Sequence, residues 1–119
     1  MKYLAYRYTA SKILHTAANM AGAEVADVLG PSREQYLVDV RQAVAYTLRT
    51  VRGWSYKRCA GVIGRKDHTT YYHSHRAIDD EIASGIPSLR AHIAKALAPI
   101  ASSRYEVSVE QEKVIEVQP

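Results

Sequence analysis

The chain has 119 residues, 47% of them hydrophobic, and a net charge of +4, which fits one ordinary globular domain with room for a single core. Its one cysteine, Cys59, excludes an internal disulfide framework and any cysteine-rich zinc site. No apolar run approaches a membrane span, residues 1–8 lack the apolar stretch of a signal peptide, and no G-x-x-x-x-G-K-[ST] phosphate loop occurs, so the expectation is a cytoplasmic protein with no ATPase module, no cofactor and no membrane partner.

Helical periodicity dominates the chain from its start. Residues 8–21 are rich in Ala and free of Gly and Pro, and Thr9 or Ser11 can cap that helix. Residues 23–29 read as a short second helix stopped by Gly30-Pro31. A polar connector over residues 32–36 leads to Leu37, Val40, Val44, Leu48 and Val51. That spacing of three or four makes one apolar stripe on a helix of about four turns, closed by Gly53. Ser55 is a natural N-cap for a helix with Tyr56, Cys59, Ala60 and Ile63 on one face, and Gly64 is its left-handed stop. Asp67 can cap a further helix with Tyr71, His75, Ile78 and Ile82 buried and Thr69, Tyr72, His73 and Arg76 opposite. Gly85-Ile86-Pro87 breaks the chain, and residues 89–97 form a last helix stopped near Pro99. Beyond residue 101, Tyr105, Val107 and Val109 alternate with polar residues, as in a strand or hairpin, or else the acidic tail is disordered. Nothing upstream reads as a sheet, so the body is expected to be all-α.

Charge is concentrated in the middle of the chain. Residues 1–40 are balanced, with four basic and four acidic side chains; residues 41–76 hold eight basic side chains against Asp67 alone; residues 77–119 hold four basic and seven acidic. A central positive block is the footprint of a polyanion binder. It coincides with a helix, a Gly-containing turn and a second helix over residues 55–82, the pattern of a helix-turn-helix. In that motif the second helix enters the major groove with its leading residues at the base edges. Here those are Arg65 and Lys66, suited to phosphates or guanine, Asp67, which can accept from a cytosine amino group, His68, and Thr69 and Thr70, whose hydroxyls and methyls suit base edges and thymine. Arg41, Arg52, Lys57 and Arg58 are candidates for contacts to the DNA backbone.

The run Gly64-Arg65-Lys66-Asp67-His68-Thr69-Thr70-Tyr71-Tyr72-His73 resembles the G-G-R-D-H-T-T signature of the C-terminal DNA-binding domain of the bacterial replication initiator DnaA. Val25-Ala26-Asp27-Val28-Leu29 is similar to that family's V-x-D-L-L segment, and Arg41-Gln42-Ala43-Val44-Ala45-Tyr46-Thr47-Leu48 to its R-Q helix. The likeness covers about residues 13–84. It implies an all-α helix-turn-helix bundle of the Trp-repressor-like type, here with a short acidic C-terminal tail. Residues 1–100 would form the DNA-binding domain, and residues 101–119 a strand-like or disordered tail. It implies that Asp67, His68, Thr69 and Thr70 read the major groove, and that Arg33, eight residues before Arg41, reaches the minor groove of a DnaA box bound by a monomer. The sequence departs from the pattern in places: Arg65 replaces a Gly, Lys66 an Arg that could contact its partner bidentately, Lys57 a frequent Pro, and Glu34, Gln35 and Asp39 replace basic residues near Arg33.

Other readings of the same residues are weaker. His68 and His75 lie two turns apart, about 10 Å, and His73 and His75 point to different sides, so no metal site is expected and His75 reads as a satisfied core residue. Cys59 reads as a small buried hydrophobe. The G-V-I-G run lacks the β-α-α-β setting of an RNA-binding KH loop, and no third group supports His-Asp or Ser-His catalysis, so no enzyme is expected. The function implied is specific binding of double-stranded DNA, in replication control or transcription regulation, by a chain associated with the nucleoid. The alternative is a protein-interaction module that docks replication or transcription proteins and keeps only vestigial DNA contact.

Overall fold

The computed structural model describes the backbone of residues 3–108 and 114–117 and the side chains of residues 7–104. Thr9 accepts the Lys12 N–H at 3.1 Å and opens α1 (Ala10–Met20), so of the two expected caps Thr9 serves. α2 (Val25–Leu29) ends at Gly30. α3 (Gln35–Arg52) is the longest helix and packs against every other helix. Its stripe of Leu37, Val40, Val44 and Leu48 is buried, as the period of the sequence requires. Gly53 ends it at φ 67°, a left-handed conformation that costs glycine little. α4 (Tyr56–Val62) and α5 (Thr69–Ala83) follow. Ile13, Val28, Ile63, Ile78, Ile93 and Leu97 close the core around α3, each fully buried. Among the described residues no helix is long and apolar enough to cross a membrane.

Two local expectations need correction. α6 runs Leu89–Ser102, with Pro99 inside it instead of ending it. Pro99 lacks an N–H for the ladder and crowds the carbonyl four residues before it, yet it is exposed and the buried Ala101 just beyond it holds the last turn on the core. The helical body is all-α, but the chain's start is not without strand. β1 (Tyr3–Arg7) pairs antiparallel with β2 (Arg104–Ser108), and β2 with β3 (Val114–Val117), in the order β1-β2-β3. Tyr6 faces Tyr105 and Glu106 faces Ile115 in this register. A five-residue segment whose partner lies about a hundred residues away carries no local signal of pairing, whereas of the two readings of the chain after residue 101 the structure has the strands. Residues 109–113 and 118–119, with Val109 and the acidic Glu110 and Glu112 of the tail, lie outside the described residues.

Candidate nucleic-acid interface

The site is assembled by caps and a reversed turn. Ser55 Oγ accepts the Arg58 N–H at 3.1 Å and starts α4. Cys59, Ala60 and Ile63 are fully buried and seat that helix on the core. Gly64, at φ 70°, lets the chain double back: the Arg65 N–H returns to the Ala60 carbonyl at 2.9 Å and the Gly64 N–H to that of Gly61 at 3.1 Å, a Schellman ending. Asp67 Oδ1 then accepts the Thr69 N–H at 2.9 Å. His68 already has helical dihedrals and caps nothing through its side chain, so the capping group is Asp67, as the sequence indicated. Tyr71, Ser74 and Ile78 are buried and anchor α5 along one side, whereas His75 and Ile82, expected in that stripe, are only half-buried at its edge. Thr69, Tyr72, His73 and Arg76 lie exposed on the other.

This anchoring leaves Lys66, Asp67, His68, Thr69 and Thr70 together at the leading end of α5, all exposed. The free N–H groups there and the positive end of the helix dipole favour an anion. Arg33 is exposed on the connector between α2 and α3, and Lys57 and Arg58 are exposed on the first turn of α4. The Arg58 guanidinium lies 3.6 Å from the centroid of the Trp54 ring and that of Arg49 4.7 Å from the Tyr56 ring, cation–π contacts that hold cations at a surface. Gly53 interrupts the periodicity between Arg49 and Tyr56, and Trp54 precedes the Ser55 cap of α4, so no helical period relates it to Arg58.

Three arginines expected at DNA hydrogen-bond to carbonyls of the protein itself. Arg41 is 4% exposed; its Nε donates to the Val28 carbonyl at 2.7 Å and its Nη2 to those of Asp27 at 3.2 Å and Gly30 at 3.1 Å. It caps the carbonyl end of α2 and is no backbone-contact candidate. Burial, then the neighbouring Arg65 charge, lowers its pKa. Arg52 is half-buried and donates through Nε to the Ala101 carbonyl at 3.2 Å and through Nη2 to the Tyr8 carbonyl, tying the end of α3 to both ends of the helical body. Arg65 donates through Nη1 to the Leu29 carbonyl at 3.3 Å and through Nη2 to that of Gly30 at 2.6 Å, so its guanidinium is held against the protein's own backbone. A chain's charge count cannot separate such caps from free cations, because carbonyl partners carry no sequence signature.

His75 also departs from expectation. Its Nε2 lies 3.4 Å from Asp79 Oδ2, but its Nδ1 is buried with no hydrogen-bond partner among the described residues. Asp79 Oδ1 is taken by the Tyr46 hydroxyl at 2.6 Å, and burial followed by this hydrogen bond pushes the Tyr46 pKa up to about 12. Cys59 is fully buried, which raises its pKa, as suits a small hydrophobe.

The exposed leading end of a second helix, set by a reversed turn after a first, is the geometry of a DNA-reading helix-turn-helix. Residues 10–78 match the family described as the bacterial DnaA protein helix-turn-helix. The chain belongs to that family. DnaA helix-turn-helix domains are DNA-binding and not catalytic, and membership implies DNA binding for this chain. Similar proteins include the chromosomal replication initiator protein DnaA of Kosmotoga olearia, 30% identical over 91 residues, covering 76% of this chain and 20% of that protein. That of Thermomicrobium roseum is 29% identical over 101 residues, covering 79% and 22%. That of Cutibacterium acnes is 36% identical over 70 residues, covering 59% and 14%. The chain thus spans about a fifth, or less, of the length of these relatives.

Proposed function

We propose that this chain binds double-stranded DNA sequence-specifically at DnaA-box-like sites, as a monomer on an asymmetric site, and acts in replication control or transcription regulation at the nucleoid. The observation that carries this reading is the exposed cluster Lys66, Asp67, His68, Thr69 and Thr70 at the leading end of a firmly anchored α5. Asp67, His68, Thr69 and Thr70 read the major groove, with Lys66 beside them on a phosphate or guanine. Arg33 reads the adjacent minor groove, and Lys57 and Arg58 contact backbone phosphates on the α4 side. Arg41, Arg52 and Arg65 are omitted from the contact set, because their guanidinium groups serve carbonyl oxygens of the protein. Residues 1–100 constitute the DNA-binding unit in this reading, and no catalytic step is assigned to it. Selecting bound sequences from random duplexes tests the proposal. Enrichment of one short asymmetric site is expected; recovery of an unenriched pool contradicts specific reading, and a palindrome contradicts the monomer.

A further inference from the structure

Arg65 lies between the two DNA-reading segments and touches the backbone of one while belonging to the other. Its own N–H closes the α4 ending on Ala60 at 2.9 Å, so the start of the turn toward Lys66 is held. Its guanidinium reaches the Leu29 and Gly30 carbonyls at 3.3 and 2.6 Å, the residues from which the connector bearing Arg33 departs. The Gly30 carbonyl is shared with the buried Arg41, whose Nη2 donates to it at 3.1 Å. Gly64 lies beside the same segment, where a Cβ would sit 3.6 Å from the Leu29 carbonyl oxygen, an ordinary contact. Two planar donor forks converging on one carbonyl fix position better than a single flexible ammonium can.

We infer that Arg65 is a positioning residue: it clamps the Arg33 connector to the turn before α5, so that the minor-groove and major-groove readers engage DNA in a fixed relation. The inference rests on the DNA reading proposed above. It differs from a direct phosphate contact, which would show as a smaller salt slope on every duplex once Arg65 is removed. Holding two contact elements in place before binding removes an ordering cost from the complex, and this raises affinity only where both elements find their partners.

The test uses the full chain, the duplex recovered by selection and a scrambled duplex. Arg65→Gly and Arg65→Lys should each lower the preference for the selected duplex roughly tenfold, the scale of one good base contact. Binding to the scrambled duplex and its salt slope should be unchanged. Arg65→Lys keeps the charge and guards against a variant that fails to fold. In an Arg33→Ala background the same substitutions should cost nothing further, because the reader they position is gone. Losses that add to that of Arg33→Ala, a salt slope reduced by about one on both duplexes for Arg65→Gly, or full preference in Arg65→Lys would each overturn the inference. A parent chain that prefers no duplex overturns the underlying DNA reading itself, and the inference with it.

Discussion

The carboxylate of Asp67 accepts the backbone N–H of Thr69 at 2.9 Å, so a residue proposed to read a base also starts the helix that presents the others. The two roles separate by substitution. Asp67→Asn keeps a capping oxygen, whereas Asp67→Ala loses it at a cost of about 1 kcal/mol. Denaturant unfolding should show that difference between the two variants. Duplex selection should show altered base preference in both.

Thr69 is exposed in the first turn of α5 and lies outside its buried face. Thr69→Ala should therefore leave stability unchanged and lose roughly 1–3 kcal/mol of discrimination at one base position. Competition binding with single-position variants of the selected duplex checks this. An equal loss on every duplex would contradict base reading.

Lys57 and Arg52 were alike as charges in the sequence and differ in the fold. Lys57 is exposed, so Lys57→Ala should weaken binding to all duplexes about equally and reduce the salt slope by about one. Arg52 donates to the Ala101 and Tyr8 carbonyls, so Arg52→Ala should cost stability, about 1–3 kcal/mol for the unmet carbonyls, with the salt slope unchanged. Binding titrations at several salt concentrations, beside unfolding curves, separate the two.

Arg90 Nε donates to both carboxylate oxygens of Glu81 at 2.9 Å while its Nη1 donates to Gln42 Oε1 at 2.8 Å, linking α5, α6 and α3. The hydrogen bond from Arg90 holds the Glu81 carboxyl below its ordinary 4.5 against the opposing effect of burial. A pKa depressed in the folded state contributes stability that is complete above the unfolded value and lost as pH falls through the folded one. Glu81→Gln should lower stability at neutral pH by roughly 1 kcal/mol. It should also lose less than the parent does between about pH 6 and about pH 3. Unfolding midpoints across that range provide the check.

What was legible in the chain was what depends on neighbours in sequence. Ser55, Gly53 and Gly64 act within a turn of their own positions, so the caps and stops of α3 and α4 could be read directly. The apolar stripe of α3 followed from its period. The exposed cluster at α5 followed from Tyr71 and Ile78 fixing which side is buried. The carbonyl contacts of Arg41, Arg52 and Arg65 are not legible, because each finds its partners on other segments. The same distance hid the pairing of β1 with β2 and the sharing of Asp79 between Tyr46 and His75. Pro99 misled in the other direction: a local stop signal was overridden by the packing of Ala101.

In the proposed function, the leading end of α5 enters a duplex groove and discriminates sequence. A gel shift with a DnaA-box duplex and a scrambled duplex of the same composition, each at two salt concentrations, addresses it most directly. The account predicts a shift that favours the box duplex at both salts and weakens steeply as salt rises. No shift even at low salt, or equal shifts of both duplexes, would contradict it.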